Sequence, residues 1–360
     1  MKNKVYNLFE ICNPKQWKTI SIDNLDKNGK YPVYGANGII GYYSEYNHEK
    51  PTLCITCRGA TSGELNISTS YSYINGNTMA LDDLDETKVD INFLYYFLKK
   101  RGFKDIISGS AQPQITRIAL KKINIPLYTL NFQKKVASDL KKAEDIITFY
   151  KNQLLNLTEL VKSLFTTMFG DIKTNDKNWE IKKLKELVEI KSFIINENLN
   201  FIWLLNLEDI EPNTGKLIKK REVSFKNIPS STISFNENYV LYSKLRPYLN
   251  KVFLPDEKGF GTSELVPLLP KKNIHKIFLT EYLRNDKIVD FLSQKVSGAK
   301  MPRVIMKDFQ DLNLIFPPIE LQNKFAERIE NIEKLKFEIE KSIETAQNLY
   351  DSLISKYFDN

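Results

Sequence analysis

Two long stretches of the chain place apolar residues at alternating steps of four and three, with charged and polar residues between them. The first runs from Phe132 to Met168 and the second from Leu321 to Tyr357, and neither contains Gly or Pro. This spacing predicts a long helix that packs along another helix. The first seam is expected to consist of Phe132, Val136, Leu140, Ala143, Ile147, Tyr150, Leu154, Leu157, Val161, Leu164 and Met168.

The second stretch follows the same spacing with one interruption. Lys336 stands where an apolar residue is expected, so we expect the seam to slip there. At 1.5 Å per residue, each helix would be roughly 55 Å long. The second seam is expected to consist of Leu321, Phe325, Ile329, Ile332, Leu335 or Ile339, Ile343, Ala346, Tyr350, Leu353 and Tyr357.

The two stretches belong to an internal duplication. Gly109 and Gly298 are 189 residues apart, as are Pro113 and Pro302, and the offset holds to the end of the chain. Each copy reads as a Gly/Pro turn, a short apolar strand, a break and a long helix. Two matched helices in one chain favour an intramolecular pair, and a dimerisation coiled coil is the alternative. Later pairs are Asn124 with Asn313, Gln133 with Gln322, Ala137 with Ala326, Leu160 with Leu349, Ser163 with Ser352, Leu164 with Leu353, and Phe169 with Phe358.

The segments outside the duplication, residues 1–108 and 173–296, show short strand patterns of a mixed α/β kind. Each has a strand that ends in an arginine beside a turn-former, Arg58-Gly59 in one and Arg246-Pro247 in the other. Each then has a polar turn that leads into a strand, "NGNTMAL" and "GTSELVPL". We therefore interpret them as two diverged copies of one domain, with Arg58 and Arg246 placed alike.

Composition permits about two ordinary domains in 360 residues, and 42% apolar residues suffice for real cores. No apolar run approaches the roughly 18 residues of a membrane helix, and the first residues form no signal peptide. We expect a soluble cytoplasmic protein. The formal net charge of +8 favours a polyanionic partner.

The residue types of the common catalytic and metal sites are scarce. Cys54 and Cys57 form a C-x-x-C pair, but the remaining Cys12, His48 and His275 lie at no zinc-ligand spacing, so core cysteines are expected. The chain has no P-loop, and "GANGIIG" is not the dinucleotide fingerprint. "VEIK" lacks a partner aspartate for a nuclease site, and no Ser/His or Cys/His pair is arguable. The chain is expected to be non-catalytic.

Basic, amide and aromatic residues at matching places of the two segments are the candidate DNA contacts. Arginine can bind guanine and asparagine adenine through two hydrogen bonds, while lysine neutralises phosphates. A basic run, Lys216 to Lys226, adds to this in the second segment. The candidates are Tyr34, Asn37, Arg58, Asn75 and Asn77 in the first segment, and Lys219, Lys220, Arg221, Lys244 and Arg246 in the second.

The chain resembles the specificity (S) subunit of type I restriction–modification systems. The resemblance is carried by "GSAQPQITRIALKKINIPL", Gln133, "SLFTTMFGD" and their second copies, and by "YPVYGANGIIGYY" and "VLYSKLRPYLNKV". It implies two target recognition domains that each read half of a bipartite DNA sequence, and a coiled coil that docks two methyltransferase (M) subunits. It also implies that S-adenosylmethionine binds to those M subunits and ATP to a motor-nuclease (R) subunit, so no cofactor is expected in this chain. The first copy has "LYTLN" where the second has "FPPIE", which leaves its helix start open.

These observations predict an α+β fold: two mixed α/β target recognition domains separated by two long helices, paired as an antiparallel intramolecular coiled coil with pseudo-two-fold symmetry. The expected partners are double-stranded DNA, two M subunits and an R subunit. The alternatives are a coiled-coil scaffold without a DNA role and a DNA nuclease or methyltransferase whose site the motifs do not reveal. The expected domains are residues 1–108, 109–172, 173–296 and 297–360.

Overall fold

The structure is a computed structural model that describes residues 4–26, 28–36, 38–195 and 200–359. It divides into two compact units. Unit 1 comprises Met1–Lys151 and Lys341–Asn360, and unit 2 comprises Asn152–Glu340. Each helix in the described ranges is too short or too polar to span a lipid bilayer.

Unit 1 contains a four-stranded sheet, a three-stranded sheet and a two-stranded ladder. The larger sheet has the strand order β2-β8-β5-β6 and is antiparallel. The smaller has the order β4-β3-β7, with β3 and β7 parallel, and β1 pairs with β9. The elements are β1 Lys4–Asn7, β2 Asn13–Gln16, β3 Tyr31–Gly35, β4 Gly38–Tyr43, β5 Leu53–Thr56, β6 Leu65–Ile67, β7 Tyr73–Ile74, β8 Thr78–Asp82, α1 Ile91–Arg101, β9 Asn124–Leu127 and the long helix α2 Leu130–Phe169.

The core of unit 1 lies between the larger sheet, α1 and the parts of the long helices that belong to this unit. Strand β5 is a continuous buried run, which suits a central strand covered on both faces. Helix α1 begins at Asp90, whose side chain accepts hydrogen bonds from the first free N–H groups, and ends at Gly102 with φ +65°. Both ends of α1 are thus fixed by local sequence.

Unit 2 repeats these sheets with a few additions. Its larger sheet has the order β11-β18-β15-β16, its smaller sheet β13-β12-β17-β14, and β10 pairs with β21. The elements are β10 Glu180–Lys183, α3 Leu184–Leu187, β11 Val188–Ile190, β12 Phe201–Leu205, β13 Glu222–Ser224, β14 Thr232–Phe235, β15 Val240–Ser243, β16 Val252–Phe253, β17 Gly259–Thr262, β18 Leu265–Pro270, α4 Lys276–Arg284, α5 Asp286–Gln294, β19 Val296–Ser297, β20 Arg303–Val304, α6 Met306–Gln310, β21 Asn313–Phe316 and the long helix α7 Ile319–Phe358.

The two larger sheets correspond strand by strand, β2-β8-β5-β6 with β11-β18-β15-β16. In both units the strand before the long helix pairs antiparallel with the first strand of the unit's recognition segment. Asn7 faces Asn124 in unit 1, and Lys183 faces Asn313 in unit 2. The structure therefore supports the interpretation of two diverged copies of one domain.

One buried glutamine in each copy ties the long helix to the short helix of the recognition segment. Gln133 and Gln322 are each 0% exposed. The Gln133 side chain accepts from the backbone N–H of Asp90 at 2.9 Å and donates to the carbonyls of Lys88 and Tyr128 at 2.8 Å. Gln322 likewise accepts from the N–H of His275 and donates to two carbonyls. The duplicated glutamine thus fixes the start of each long helix to the start of the short helix in the same unit, and we call this set of hydrogen bonds the glutamine lock.

The long helices contact each other in opposite directions within each unit. In unit 1, the Tyr357 hydroxyl donates to Asp139 at 2.7 Å, and its ring centroid lies 6.0 Å from that of Phe132. In unit 2, Phe325 lies beside Phe165 and Phe169, with centroids 5.6 and 5.1 Å away. The start of one helix therefore meets the end of the other, as an antiparallel pair requires.

The predicted seam of α2 is buried or half-buried at every position. In α7 the expected slip is wrong, because Lys336 stays on the seam with only 20% of its side chain exposed while Leu335 is 55% exposed. The long lysine stem can lie along the seam while its ammonium group reaches Glu333 at 2.8 Å. The helices also begin at corresponding positions, Leu130 and Ile319, so the missing Pro-Pro does not move the first start.

Candidate nucleic-acid interface

Three loops of unit 1 meet where β5 ends, and a turn of the repeat joins them. Beyond β5, Cys57 donates its N–H to the Asn77 carbonyl at 3.0 Å, while the Thr56 hydroxyl donates to the Ala36 carbonyl at 2.6 Å. Gly59 donates its N–H to the Pro113 carbonyl at 3.0 Å. Segments that are far apart in sequence therefore form one loop cluster.

Arg58 and Asn77 are the candidates that this cluster presents to solvent. Both residues are exposed. Among the residues that the structure describes, Arg58 has no ion-pair partner. Its guanidinium group is thus available for a ligand, and the amide of Asn77 lies on the adjoining loop. Asn37 lies outside the described residues.

Tyr34 and Asn75 serve inside the domain. The Tyr34 side chain is 6% exposed, and its hydroxyl accepts from the N–H of Thr69 at 3.1 Å. Asn75 is 2% exposed, and its amide bonds to both the N–H and the carbonyl of Ile20, at 3.0 and 2.9 Å. With their polar groups used in this way, both residues shape the loops and present nothing to a ligand.

Unit 2 has a corresponding loop cluster at the end of β15, and we call the two loop clusters the junctions. Lys244 donates its N–H to the Glu264 carbonyl at 3.0 Å, and Arg246 donates to the Pro302 carbonyl at 2.8 Å. Pro302 is the duplicate of Pro113, so Arg246 corresponds to Gly59, and Arg58 corresponds to Leu245. The prediction that Arg58 and Arg246 are placed alike is therefore wrong by one residue. The sequences were aligned on the two arginines, whereas the hydrogen bonds to the repeat align Arg246 with Gly59.

Arg246 occupies a backbone conformation that side chains disfavour. Its φ is +50°, whereas the corresponding Gly59 has φ +94°. A left-handed conformation costs a non-glycine residue roughly 1–2 kcal/mol. The side chain is exposed, and backbone hydrogen bonds from the Arg246 N–H to the Pro302 carbonyl and from the Leu249 N–H to the Arg246 carbonyl, at 2.8 and 2.9 Å, hold this conformation. Strain retained at a solvent-facing arginine is typical of a functional position.

Lys219, Lys220 and Arg221 lie beside β12 of the smaller sheet, whereas Lys244 and Arg246 follow β15 of the larger sheet. Arg221 bonds through Nε to the carboxylate of Asp209 at 2.7 Å, and Asp209 is 1% exposed. Lys220 pairs with Glu257 at 2.7 Å, whereas Lys219 is exposed. Arg221 therefore neutralises a buried acid, and the ammonium group of Lys220 is paired with a carboxylate.

An ion pair that no sequence motif indicated joins the recognition domain to the repeat. Arg303 donates from Nε and Nη2 to the carboxylate of Glu264 at 3.0 and 2.8 Å. Hydrogen bonding from this guanidinium lowers the pKa of Glu264, against a smaller opposing effect of burial. Arg303 is the duplicate of Gln114, so the change from a neutral to a charged residue between the two copies is the sequence feature that could have indicated this ion pair.

The C-x-x-C pair lies in the core, as expected. Cys54 and Cys57 are 1% and 0% exposed. Burial raises the pKa of both thiols, and for Cys57 a hydrogen bond from Gln16 at 3.0 Å opposes the effect in part. In the described part of the chain, no group of three or more His, Cys, Asp and Glu side chains is arranged to hold a metal ion.

Comparison with known proteins agrees with this architecture. Residues 2–159 and 176–346 each match the family model of the type I restriction modification DNA specificity domain. The EcoDI specificity subunit of Escherichia coli is 21% identical over 96% of this chain and 88% of its own length. The MjaVIII specificity subunit of Methanocaldococcus jannaschii is 25% identical over 93% of this chain and 92% of its own.

A solved structure shares the fold. The crystal structure of the type I restriction-modification S subunit from M. genitalium superposes with a TM-score of 0.63 at 17% identity, over 98% of this chain and 95% of that one. Since two copies of the family model cover most of the sequence, the chain belongs to the type I restriction–modification DNA specificity family, whose members recognise a DNA target and carry out no catalysis.

Proposed function

We propose that this protein reads a bipartite double-stranded DNA sequence, with one recognition domain for each half. The observation that carries the proposal is the junction found in both units. Equivalent backbone hydrogen bonds form there in the two units, but the residues that they position have different side chains. Unit 1 presents Arg58 and Asn77 there, and unit 2 presents Lys244 and Arg246. Two readers that share a frame and differ in side chains recognise two different half-sites.

The chemistry of these side chains suits duplex DNA. An exposed arginine can make two hydrogen bonds to guanine in the major groove, and asparagine can do the same with adenine. Lysine side chains add sequence-independent contacts with phosphates. The net charge of +8 supports attraction to a polyanion over a distance.

The long helices are the proposed docking site for two methyltransferase subunits, since a duplicated surface offers the same partner two equivalent places. S-adenosylmethionine then belongs to those subunits and ATP to a motor-nuclease subunit, with no cofactor held by this chain. One of the structural neighbours, with a TM-score of 0.50, is described as concerning complex assembly and conformational transition of the type I system. Assembly with such subunits is the corresponding proposal for this chain.

The test selects DNA from a randomised duplex library with the full-length protein bound to a methyltransferase subunit of its system. We expect enrichment of two short motifs separated by a spacer of fixed length. Arg58→Ala and Arg246→Ala should each relax one half only, at a cost of roughly 1–3 kcal/mol for a lost guanine contact. Lys50→Ala, at an exposed position of unit 1 outside the long helices, is the control and should leave both halves unchanged.

The variant Arg246→Gly distinguishes the role of the Arg246 side chain in DNA binding from the effect of its backbone conformation on stability. Glycine relieves the left-handed strain at this position, so the variant should be at least as stable as the wild type and still lose its half-site. Enrichment of no sequence by the wild-type complex would contradict the proposed function.

A further inference from the structure

The hydrogen bonds at the two junctions place part of the repeat against the recognition loops. We name residues 109–114 repeat turn 1 and residues 298–303 repeat turn 2. Pro113 in repeat turn 1 accepts from the N–H of Gly59 at 3.0 Å and from the hydroxyl of Ser62 at 2.8 Å. Pro302 in repeat turn 2 accepts from the N–H of Arg246 at 2.8 Å. Each turn thus borders the loop that carries the candidate arginine.

The backbone frame of the two turns is the same. Gly109 and Gly298 have φ values of +86° and +89°. A Cβ on Gly109 would lie 2.5 Å from the Gln112 carbonyl oxygen, and one on Gly298 would lie 3.1 Å from that of Met301. The turn therefore requires glycine in both copies, and the duplication has kept it.

The residues inside this frame have changed completely. Repeat turn 1 carries Ser110-Ala111-Gln112 and repeat turn 2 carries Ala299-Lys300-Met301, and all six residues are exposed. The anchoring residue at the end also differs, since Gln114 is replaced by Arg303, whose guanidinium holds Glu264. Each turn therefore keeps its backbone conformation while its exposed side chains differ between the copies. Loops that determine binding specificity are built in this way.

We propose that the repeat turns are part of the reading surface, so that Ser110–Gln112 helps to specify one half-site and Ala299–Met301 the other. This inference rests on the proposed function and deepens it, because it assigns specificity to residues of the duplicated support. Gln112 can make two hydrogen bonds to adenine, and the exposed Met301 side chain can pack on a thymine methyl group. Lys300 adds a cation in unit 2 that repeat turn 1 lacks.

The test transplants the contents of repeat turn 2 into repeat turn 1. The triple variant Ser110→Ala, Ala111→Lys, Gln112→Met keeps Gly109 and Pro113 and therefore the frame. We expect the half-site read by unit 1 to change, with discrimination at one or two base pairs shifted roughly 5- to 150-fold. The other half-site and the spacer should stay as in the wild type. Asn92→Lys, an exposed position of α1 in the same unit and outside the long helices, controls for the added charge and should select the wild-type sequence.

The readout is the same library selection, with circular dichroism and melting temperature to check folding. The single variants Gln112→Ala and Met301→Ala change only exposed side chains, so they keep the test decisive if the triple variant unfolds. Folded variants that enrich the wild-type motif in both halves would overturn the inference and leave the proposed function standing. A loss of affinity that is uniform across sequences would also overturn it, since that result means phosphate contact alone. A wild-type protein without any preferred sequence would overturn both.

Discussion

Single buried polar residues connect the repeat to the recognition domains at the residue scale. Gln133 satisfies one backbone N–H and two carbonyls at the place where α1 begins and α2 begins. Gln322 does the same in the other unit. A glutamine that was identical in the two copies thus reflects a packing requirement, because each of its bonds replaces water that the core excludes.

Replacing Gln133 by Leu should be strongly destabilising. The three part-buried backbone groups would lose their partner, and a backbone group left unsatisfied costs about 1–3 kcal/mol when it is fully buried. We therefore expect a loss of several kcal/mol in the free energy of unfolding, measured by urea denaturation. Lys135→Leu, two residues on and exposed, is the matched control and should change it by less than about 0.5 kcal/mol. Equal effects of the two substitutions would show that the glutamine lock is dispensable.

The ion pair between Glu264 and Arg303 should make the stability of unit 2 depend on pH. The guanidinium lowers the folded-state pKa of Glu264, so its contribution is present above the ordinary carboxyl range and is lost as the pH falls through the lowered pKa. The melting-temperature difference between wild type and Glu264→Gln should therefore be larger at pH 7 than at pH 3. Glu237→Gln, an exposed position, is the control. A difference that stays constant between the two pH values would exclude this linkage.

The seam of α7 belongs to the scale of elements and contains one polar residue, Lys336. Its counterpart in α2 is Ile147, which is 7% exposed. Lys336→Leu should raise stability by about 1 kcal/mol, because an apolar side chain gains from burial while an ion pair with the Glu333 side chain, which is 58% exposed, contributes little. Lys334→Leu, off the seam and exposed, should not. Thermal unfolding of both variants is the measurement, and equal melting temperatures would contradict the continuous seam.

Periodicity and internal duplication predicted the elements well, because both depend on residues that are near in sequence or repeat at a fixed offset. The α2 seam and the corresponding recognition domains followed from these patterns. The slip at Lys336 was wrongly predicted, because hydropathy alone does not register that a lysine stem can lie along an apolar seam.

The candidate site was less predictable, because it depends on contacts between distant segments. Asn75 looks like a base reader in sequence, and only the tertiary structure shows that its amide bonds to Ile20. The exposure of Arg58 and the left-handed turn at Arg246 are likewise visible only in the fold. No local pattern could align Arg246 with Gly59.

At the scale of the whole molecule, both ends of the described chain lie in unit 1. Strand β1, which begins at Lys4, pairs with β9, and near the other end Asp359 pairs with Lys100 at 3.0 Å. Unit 2 has a continuous link at the corresponding place, residues 170–179, between α2 and β10. The two units therefore differ in where the chain is interrupted.

A circular permutant should move the chain interruption from unit 1 to unit 2. Joining residue 360 to residue 1 by a short linker, and opening the chain between the exposed residues Lys173 and Thr174, makes unit 1 continuous and interrupts unit 2. We expect it to fold and to select the wild-type DNA sequence. A permutant with the same linker opened inside α2, between Thr148 and Phe149, should be much less stable. Failure of the first permutant with several linker lengths would show that the two ends are not close.

The split construction of unit 1 has a consequence for synthesis on the ribosome. Its first piece ends at Lys151 and its second begins at Lys341, so the 189 residues of unit 2 are made in between. At about 5–20 residues per second, the first piece waits roughly 10 to 40 seconds for Ile354 and Tyr357, which complete its core. Unit 2 needs no such delay. A nascent chain that stops at Glu340 would therefore carry unit 2 complete and unit 1 with its apolar interior open, so the synthesis of residues 341–360 decides whether unit 1 becomes stable or stays a substrate for proteases.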